Sequence, residues 1–259
     1  MRNAKLEPKF LPGAALFLEP DKILAIGDLH LGLEHEIFKS GIRIPSQTEK
    51  IMERIDSLIR ESKAKHLVFL GDVKHNIPVS SFQEDRELPL FLRHFAERIK
   101  TSLVKGNHDG DIEKLAPAGV RIYDSKGFGI KNFWFAHGQG WPPVEVMGCE
   151  YLVIGHDHPA VQFTDAVGSR SVEQCWLASK PDKEKLEEKY GKRCKLEKII
   201  SVPVFNRLIG GMPFNRKTNN GKKRFKPLSP VLKISDWKHS EVYLLDGTFL
   251  GTLDGMRKV

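Results

Sequence analysis

The sequence predicts an α/β fold with layered sheets. Two observations carry the prediction. Over roughly the first 160 residues, short apolar strand-like runs alternate with amphipathic runs of helical period. Beyond them the pattern turns to strands and turn residues such as Pro159 and Gly168, which adds strands to the alternating part.

Taken in order, Ala14 to Leu18 and Ile23 to Ile26 read as strands. Gln47 to Ile59 reads as a helix, because Ile51, Ile55, Leu58 and Ile59 fall on one face and Ser46 is placed to cap it. His66 to Leu70 is a wholly apolar strand after its first residue. Leu88 to Ile99 is helical, and Ser102 to Val104 is the next strand. Asn132 to Ala136 and Tyr151 to Ile154 are two further strands. A charged helix from Asp182 to Tyr190 interrupts the later strands. Glu241 to Leu245 and Thr248 to Leu253, joined by Asp246-Gly247, form a hairpin pattern. The chain of 259 residues is long enough for one large core, so a single domain over 1–259 is expected, with a C-terminal β extension and a basic loop at about 180–259.

Composition narrows the class. No apolar run approaches the ~18 residues that span a bilayer, so no membrane partner is expected. Met1 to Phe10 mix charge with apolar residues, unlike a secretory leader. The three cysteines, Cys149, Cys175 and Cys194, are odd in number and irregularly spaced, which fits reduced thiols and a cytoplasmic location. The net charge of +8 is uneven: residues 180–259 hold 19 Lys/Arg against 9 Asp/Glu. Between Arg207 and Lys226 there are Arg216, Lys217, Lys222, Lys223 and Arg224 and no acid. Such a stretch either attracts polyanions or is a solvated loop that aids solubility. Phe214 and Phe225 within it are candidates for stacking on bases.

Five segments carry metal-ligand residues directly after a strand. They are Gly27-Asp28-Leu29-His30, Gly71-Asp72, Gly106-Asn107-His108-Asp109, His137-Gly138 and Gly155-His156-Asp157-His158. Strand ends of an α/β sheet are where loops converge on a ligand. In Asp28-x-His30 and His156-x-His158 the pairs are two residues apart, and in extended chain such residues point the same way. Carboxylates, imidazoles and an Asn oxygen, without thiolates, suit Mn, Fe, Zn or Ni ions and argue against a structural zinc site. One such element alone means little; five in order are a strong signal.

The series GDLH, GD, GNHD, HG, GHDH resembles the calcineurin-like metallophosphoesterase superfamily over residues 23 to about 160. Within it, GDLHLG at 27–32, GDVKH at 71–75 and YLLDGTFLG at 243–251 resemble the archaeal SbcD-related phosphoesterases and the bacterial DNA-ligase-associated metallophosphoesterases. The resemblance implies a sandwich of two mixed β-sheets flanked by helices and a site for two divalent ions, Mn²⁺ first. It assigns Asp28, His30 and His158 to one ion, Asn107, His137 and His156 to the other, and Asp72 to both. It makes His108 the acid at the leaving oxygen, with Asp109 orienting it. The implied reaction is in-line hydrolysis of a phosphodiester by a metal-activated hydroxide. With the basic loop, nucleic acid is the first substrate expectation; small or cyclic nucleotides are the alternative. A non-catalytic scaffold ranks lower, because inactive members usually lack the His that stands here at 108. The resemblance also admits a homodimer.

Other residues carry two readings each. His75 contacts substrate or the outer shell of the first ion, or is a turn residue at the surface. Lys74 contacts a phosphate or, as the first reading, is exposed. Asp157, between two ligands, reads as a supporting or turn residue. Trp141 lines the cleft or packs. Trp134 and Trp176 read as core, and His35, His66, His94 and His239 as structural or exposed.

Overall fold

The computed structural model describes residues 8–216 and 226–258. Among them are two mixed sheets packed face to face. The first runs β1 (Lys9–Leu11), β2 (Ala15–Leu18), β3 (Ile23–Ile26), β4 (His66–Phe69), β5 (Lys100–Val104) and β6 (Val120–Tyr123), paired in that order. From β3 to β6 the strands are parallel, in the registers Ile23↔His66, His66↔Lys100 and Thr101↔Val120. Two helices cross over between them, α2 (Thr48–Ser62) and α3 (Phe82–Ala96), after the short α1 (Leu33–Lys39).

The second sheet holds β7 (Phe128–Ile130), β8 (Phe133–Ala136), β9 (Tyr151–Ile154), β10 (Pro159–Thr164), β11 (Arg170–Lys180), β12 (Lys198–Ser201) and β13 (Met212–Pro213). Their spatial order is β13-β10-β11-β12-β9-β8-β7. The long β11 also pairs with β14 (Asp236–Leu244), which pairs with β15 (Phe249–Thr252). Helices α4 (Lys183–Tyr190) and α5 (Pro230–Ile234) belong to this half.

The central strands are apolar on both faces because both faces are covered. Leu24, Ile26, Leu67 and Phe69 join Ile51, Ile55, Phe91 and Phe95 of α2 and α3 in one core. Their neighbours Ile23, Ala25, Val68 and Leu70 turn the other way and meet Phe133, Phe135, Val153 and Trp176 of the second sheet. Leu152 and Ile154 point outward again, against Leu186, Leu232 and Trp237. Strand period two thus sorts one sequence into three cores, and the layers run helix, sheet, sheet, helix.

Several expectations shift. Ser46 does not cap α2; the cap is Gln47, and the Ser46 hydroxyl accepts from the Thr48 amide at 3.2 Å. Helix α3 starts at Phe82 instead of Leu88. Ser81 and Glu84 form a reciprocal capping box there, and Pro89 lies inside the helix. Phe214 is no surface aromatic: it is buried, with Trp237 at 6.1 Å between ring centroids. Phe225 lies outside the described residues. All three cysteines are buried and unpaired. No described helix is long and apolar enough to cross a membrane.

Candidate metal centre

All five predicted segments leave the C-terminal ends of strands on one edge of the sandwich. Asp28 and His30 follow β3, Asp72 follows β4, Asn107 follows β5, His137 follows β8, and His156 and His158 follow β9. Since β3, β4 and β5 are parallel in one sheet and β8 and β9 in the other, their carboxyl ends meet.

The i, i+2 pairs do converge, but not through extended chain. Asp28 (φ 58°) and His30 (φ 44°) are left-handed, as are His156 (φ 68°) and His158 (φ 42°), and Asp72 (φ 49°). Non-glycine residues in that region carry a strain of order 1–3 kcal/mol each, held by surrounding contacts. Such strain clusters where a site needs side chains aimed against local preference. Glycines make room. A Cβ on Gly106 would lie 2.1 Å from Asp72 Oδ1, and one on Gly155 would lie 2.7 Å from Asp28 Oδ2.

Two groups of ligand atoms result, each within 4.8 Å of one another: Asp28, His30 and His158, and Asp72, His137 and His156. Asn107 Oδ1 stands 3.3 Å from His137 Nε2 and so belongs to the second group. One oxygen of Asp72, Oδ2, lies 3.3 Å from His137 Nε2 and 3.7 Å from His30 Nε2, between the groups. His30 Nε2 is buried with no hydrogen-bond partner, and a bare imidazole nitrogen aimed among carboxylates fits a metal ion. His137 Nδ1 donates to the Leu70 carbonyl at 2.7 Å, which leaves Nε2 as its ligand atom. The residues present therefore fit two divalent ions.

Electrostatics favour that use at Asp72, His30 and His156, whereas His137 has to release a proton from Nε2 to bind an ion. Burial opposes the charge on Asp72, but His137 and His30 beside it hold its carboxyl below the usual range. Burial alone would keep His137 neutral; Asp72 and Asp28 outweigh it and raise the group to about 9. Burial lowers His30 to about 3 and His156 to about 4 despite nearby carboxylates, so both are neutral ligands at pH 7.

The second layer departs from expectation at three residues. Asp109 does not orient His108. Its carboxylate is buried and accepts from the amides of Val73 (2.9 Å), Lys74 (3.1 Å) and Gly106 (2.9 Å), which ties two ligand loops together. His108 is instead oriented by the His75 carbonyl, to which its Nδ1 donates, while its amide donates to Asp72 Oδ1 at 2.9 Å. Lys74 is not exposed: it is fully buried, with its ammonium on the Asn76 carbonyl. His75 stands at the site, Nδ1 3.3 Å from His30 Nδ1 and Nε2 2.5 Å from Glu36. Its reading as a mere surface turn is set aside. His30, His75 and His108 form a further group of nearby ring nitrogens.

Asn107 is exposed and His108, His156 and His158 are half-buried, so the site opens to solvent on their side. Trp141 packs against Tyr190, with the Lys189 ammonium 4.0 Å from its ring centre, and belongs to a core rather than to the cleft. Trp134 and Trp176 are core residues, as expected. Arg216 is half-buried at one end of the basic stretch, and Lys217, Lys222, Lys223 and Arg224 lie outside the described residues.

The model of the calcineurin-like phosphoesterase domain matches residues 21–187, which is more than half of the chain and includes every proposed ligand. The chain belongs to the calcineurin-like phosphoesterase family. As a calcineurin-like phosphoesterase it is a hydrolase of phosphoesters, in a family that uses divalent metals. The crystal structure of Pseudomonas putida nuclease MPE is similar at 19% identity and TM-score 0.54, over 93% of this chain and 96% of that one. That likeness bears out the two-sheet fold. YfcE, a phosphoesterase from E. coli, is similar at 16% identity and TM-score 0.40, over 88% of this chain and 96% of that one. No curated protein matches the sequence.

Proposed function

We propose that this phosphoesterase is a dinuclear phosphodiesterase or nuclease acting on nucleic acid. The observation that carries the reading is the pair of ligand groups with Asp72 Oδ2 between them and His108 at their open side. Two divalent ions held there, Mn²⁺ first, supply an activated water and neutralise phosphate oxygens.

The chain's own residues do the rest. Asp28, His30 and His158 would hold one ion, Asn107, His137 and His156 the other, and Asp72 would serve both. His137 beside it outweighs burial and keeps Asp72 ionised, so it is ready to bind cations near neutral pH. His108, with Nδ1 engaged on a carbonyl, has Nε2 left to hold a proton for the departing alkoxide. His75, held by Glu36, flanks His108 with the two rings near parallel at 22°, and is a substrate or outer-sphere contact.

Nucleic acid is favoured by the origin of the basic stretch. Before it, the Met212 amide donates to the His158 carbonyl at 2.6 Å. After it, the Leu228 and Ser229 amides donate to Asp157. The described residues before and after Lys217, Lys222, Lys223 and Arg224 are thus bonded to the loop that carries His156 and His158. A polyanion bound in the cleft would meet these charges.

A panel assay tests the reading. Purified protein with Mn²⁺ is offered single-stranded DNA, RNA, cyclic nucleotides and aryl phosphate esters. Cleavage of a polymer together with the aryl diester is expected. Action on cyclic nucleotides with none on either polymer would replace nucleic acid by small nucleotides. No hydrolysis of any substrate would favour the scaffold.

A further inference from the structure

The two ligand groups share one set of bonds, from the amides of Asp28, His30 and Leu31 to the carbonyls of Gly71, Asp72 and Val73, but their remaining braces come from different parts of the chain. Around the second, the braces are local. Asp109 binds the amides of Val73, Lys74 and Gly106, and the Leu70 carbonyl fixes His137. Three of its four proposed ligands, Asp72, Asn107 and His137, are therefore held by residues 70–137.

The first group depends on a segment beyond the family match, which ends at residue 187. The loop bearing Asp28 and His30 is left-handed at both ligands, so its carbonyls have no regular ladder to join. Residues 205 and 206 satisfy them in turn. The Phe205 amide donates to the Gly27 carbonyl at 3.1 Å and the Asn206 amide to the Asp28 carbonyl at 3.4 Å. The Asn206 side chain donates to the carbonyls of Leu29 at 2.8 Å and His30 at 3.5 Å, and its Oδ1 accepts from the Leu208 amide at 3.0 Å. Asn206 is only 2% exposed. The same segment holds the third ligand of that group through the bond from Met212 to the His158 carbonyl. Gly211 permits that approach, since a Cβ there would meet Ala160 at 2.4 Å and the His158 carbonyl at 3.0 Å.

We propose that the first metal site is completed by this C-terminal segment, with Asn206 as its positioning residue, while the second site forms without it. The proposal rests on the two-ion reading above. Without the Asn206 side-chain amide, the Leu29 carbonyl loses its donor and the His30 carbonyl keeps only the Leu33 amide at 3.3 Å, so the strained loop has reason to relax toward ordinary φ values. Asp28 and His30 would then drift from His158, whereas Asp72, Asn107 and His137 would stay in place.

The test counts Mn²⁺ bound by the metal-stripped full chain, by calorimetric titration and by electron paramagnetic resonance. The proteins are the wild type, Asn206→Ala, Asn206→Asp and the control Asn215→Ala. Asn215 makes the same kind of side-chain brace in this segment, but onto the Gln162 backbone at 2.8 Å and 2.8 Å, away from the ligand loops. Two equivalents are expected for the wild type and the control. The Asn206 variants should keep one tight equivalent and weaken the other by about tenfold or more. Their resonance should change from a coupled pair to an isolated ion. A single equivalent in the wild type would overturn the two-ion reading and the asymmetry together. Two equivalents in the wild type with unchanged Asn206 variants would overturn the asymmetry alone. So would equal weakening of both ions, or loss of the fold in both variants, since either makes Asn206 a general brace.

Discussion

His108 is where the chemistry of the proposed reaction is most exposed to test at single-residue scale. Its ring is held from Nδ1 by a carbonyl and its amide is tied to the Asp72 carboxylate. Loss of general acid help typically costs about 10²–10⁴ in rate. A nitrophenolate leaving group hardly needs a proton, so His108→Asn should slow an alkyl phosphodiester far more than an aryl one, at unchanged metal content. Equal losses on both would assign His108 a purely electrostatic role. The residues that converge on the candidate site were legible in the sequence because each stands in a short Gly, His or Asp word directly after an apolar strand. Of the residues around them, Asp109 was picked out with another partner, and Glu36 and Asn206 were not picked out. Asp109, Glu36 and Asn206 act through backbone amides, a distant ring and distant carbonyls, and no local spacing announces those partners. For Asn206 no motif in its neighbourhood gave a signal.

At the scale of elements, the N-terminus of α3 serves both fold and site. Glu84 closes the capping box with Ser81 and also accepts from the amides of His75 and Asn76, each at 2.8 Å. Ser81→Ala should cost about 1 kcal/mol in unfolding free energy, as lost caps do, with hydrolysis nearly unchanged. Glu84→Ala should cost more and also lower the turnover number, because two amides beside His75 lose their acceptor. Thermal unfolding and kinetics on the pair check this; equal effects on activity would detach the cap from the site. The Ser81-x-x-Glu84 word was present in the sequence, and the helix it opens runs on through Pro89, a residue that disfavours a helix interior. Strands β1, β6 and β7 went unread because each is only three or four residues long with mixed burial. Strand β4 carries a pH dependence of its own. Burial lowers His66 to about 4, with Lys100 adding to it, and His66 bonds Ser102 across to β5 at 2.9 Å. The unfolded chain then binds more protons than the folded one between about pH 4 and 6.5. His66 is neutral in both states above that window, and stability falls as pH drops through it. His66→Gln should flatten the unfolding free energy against pH between those values; an unchanged slope would contradict the shift.

Over the whole molecule, the distribution of charge sets the substrate question. Described residues on either side of Lys217 to Arg224 are bonded to the loop of His158 and Asp157, Met212 before them and Leu228 and Ser229 after. If about three cations of this basic stretch touch single-strand phosphates, the log–log salt slope of binding should be roughly −2. Replacing Lys222, Lys223 and Arg224 by Gln should flatten that slope and raise KM for an oligonucleotide, while a one-phosphate aryl ester is left nearly untouched. A triple variant that binds and cleaves oligonucleotides like the wild type at every salt concentration would leave the loop a role in solubility alone. The α/β class and the convergence of the five segments at strand ends could be read from hydrophobic period and from the words that follow each strand. The sharing of β11 among β10, β12 and β14 could not, since pairing between strands far apart in sequence leaves no local trace.

The central claim is that two ions, bridged by Asp72, are required for hydrolysis. It is tested most directly by stripping the protein of metal and following aryl phosphodiester hydrolysis as Mn²⁺ is returned, for the wild type and Asp72→Ala in parallel. The wild type should be inert when stripped and recover fully as two equivalents bind. Asp72→Ala should stay folded, bind both ions weakly and remain inactive. Hydrolysis by the stripped wild type, or full activity in Asp72→Ala, would contradict the account.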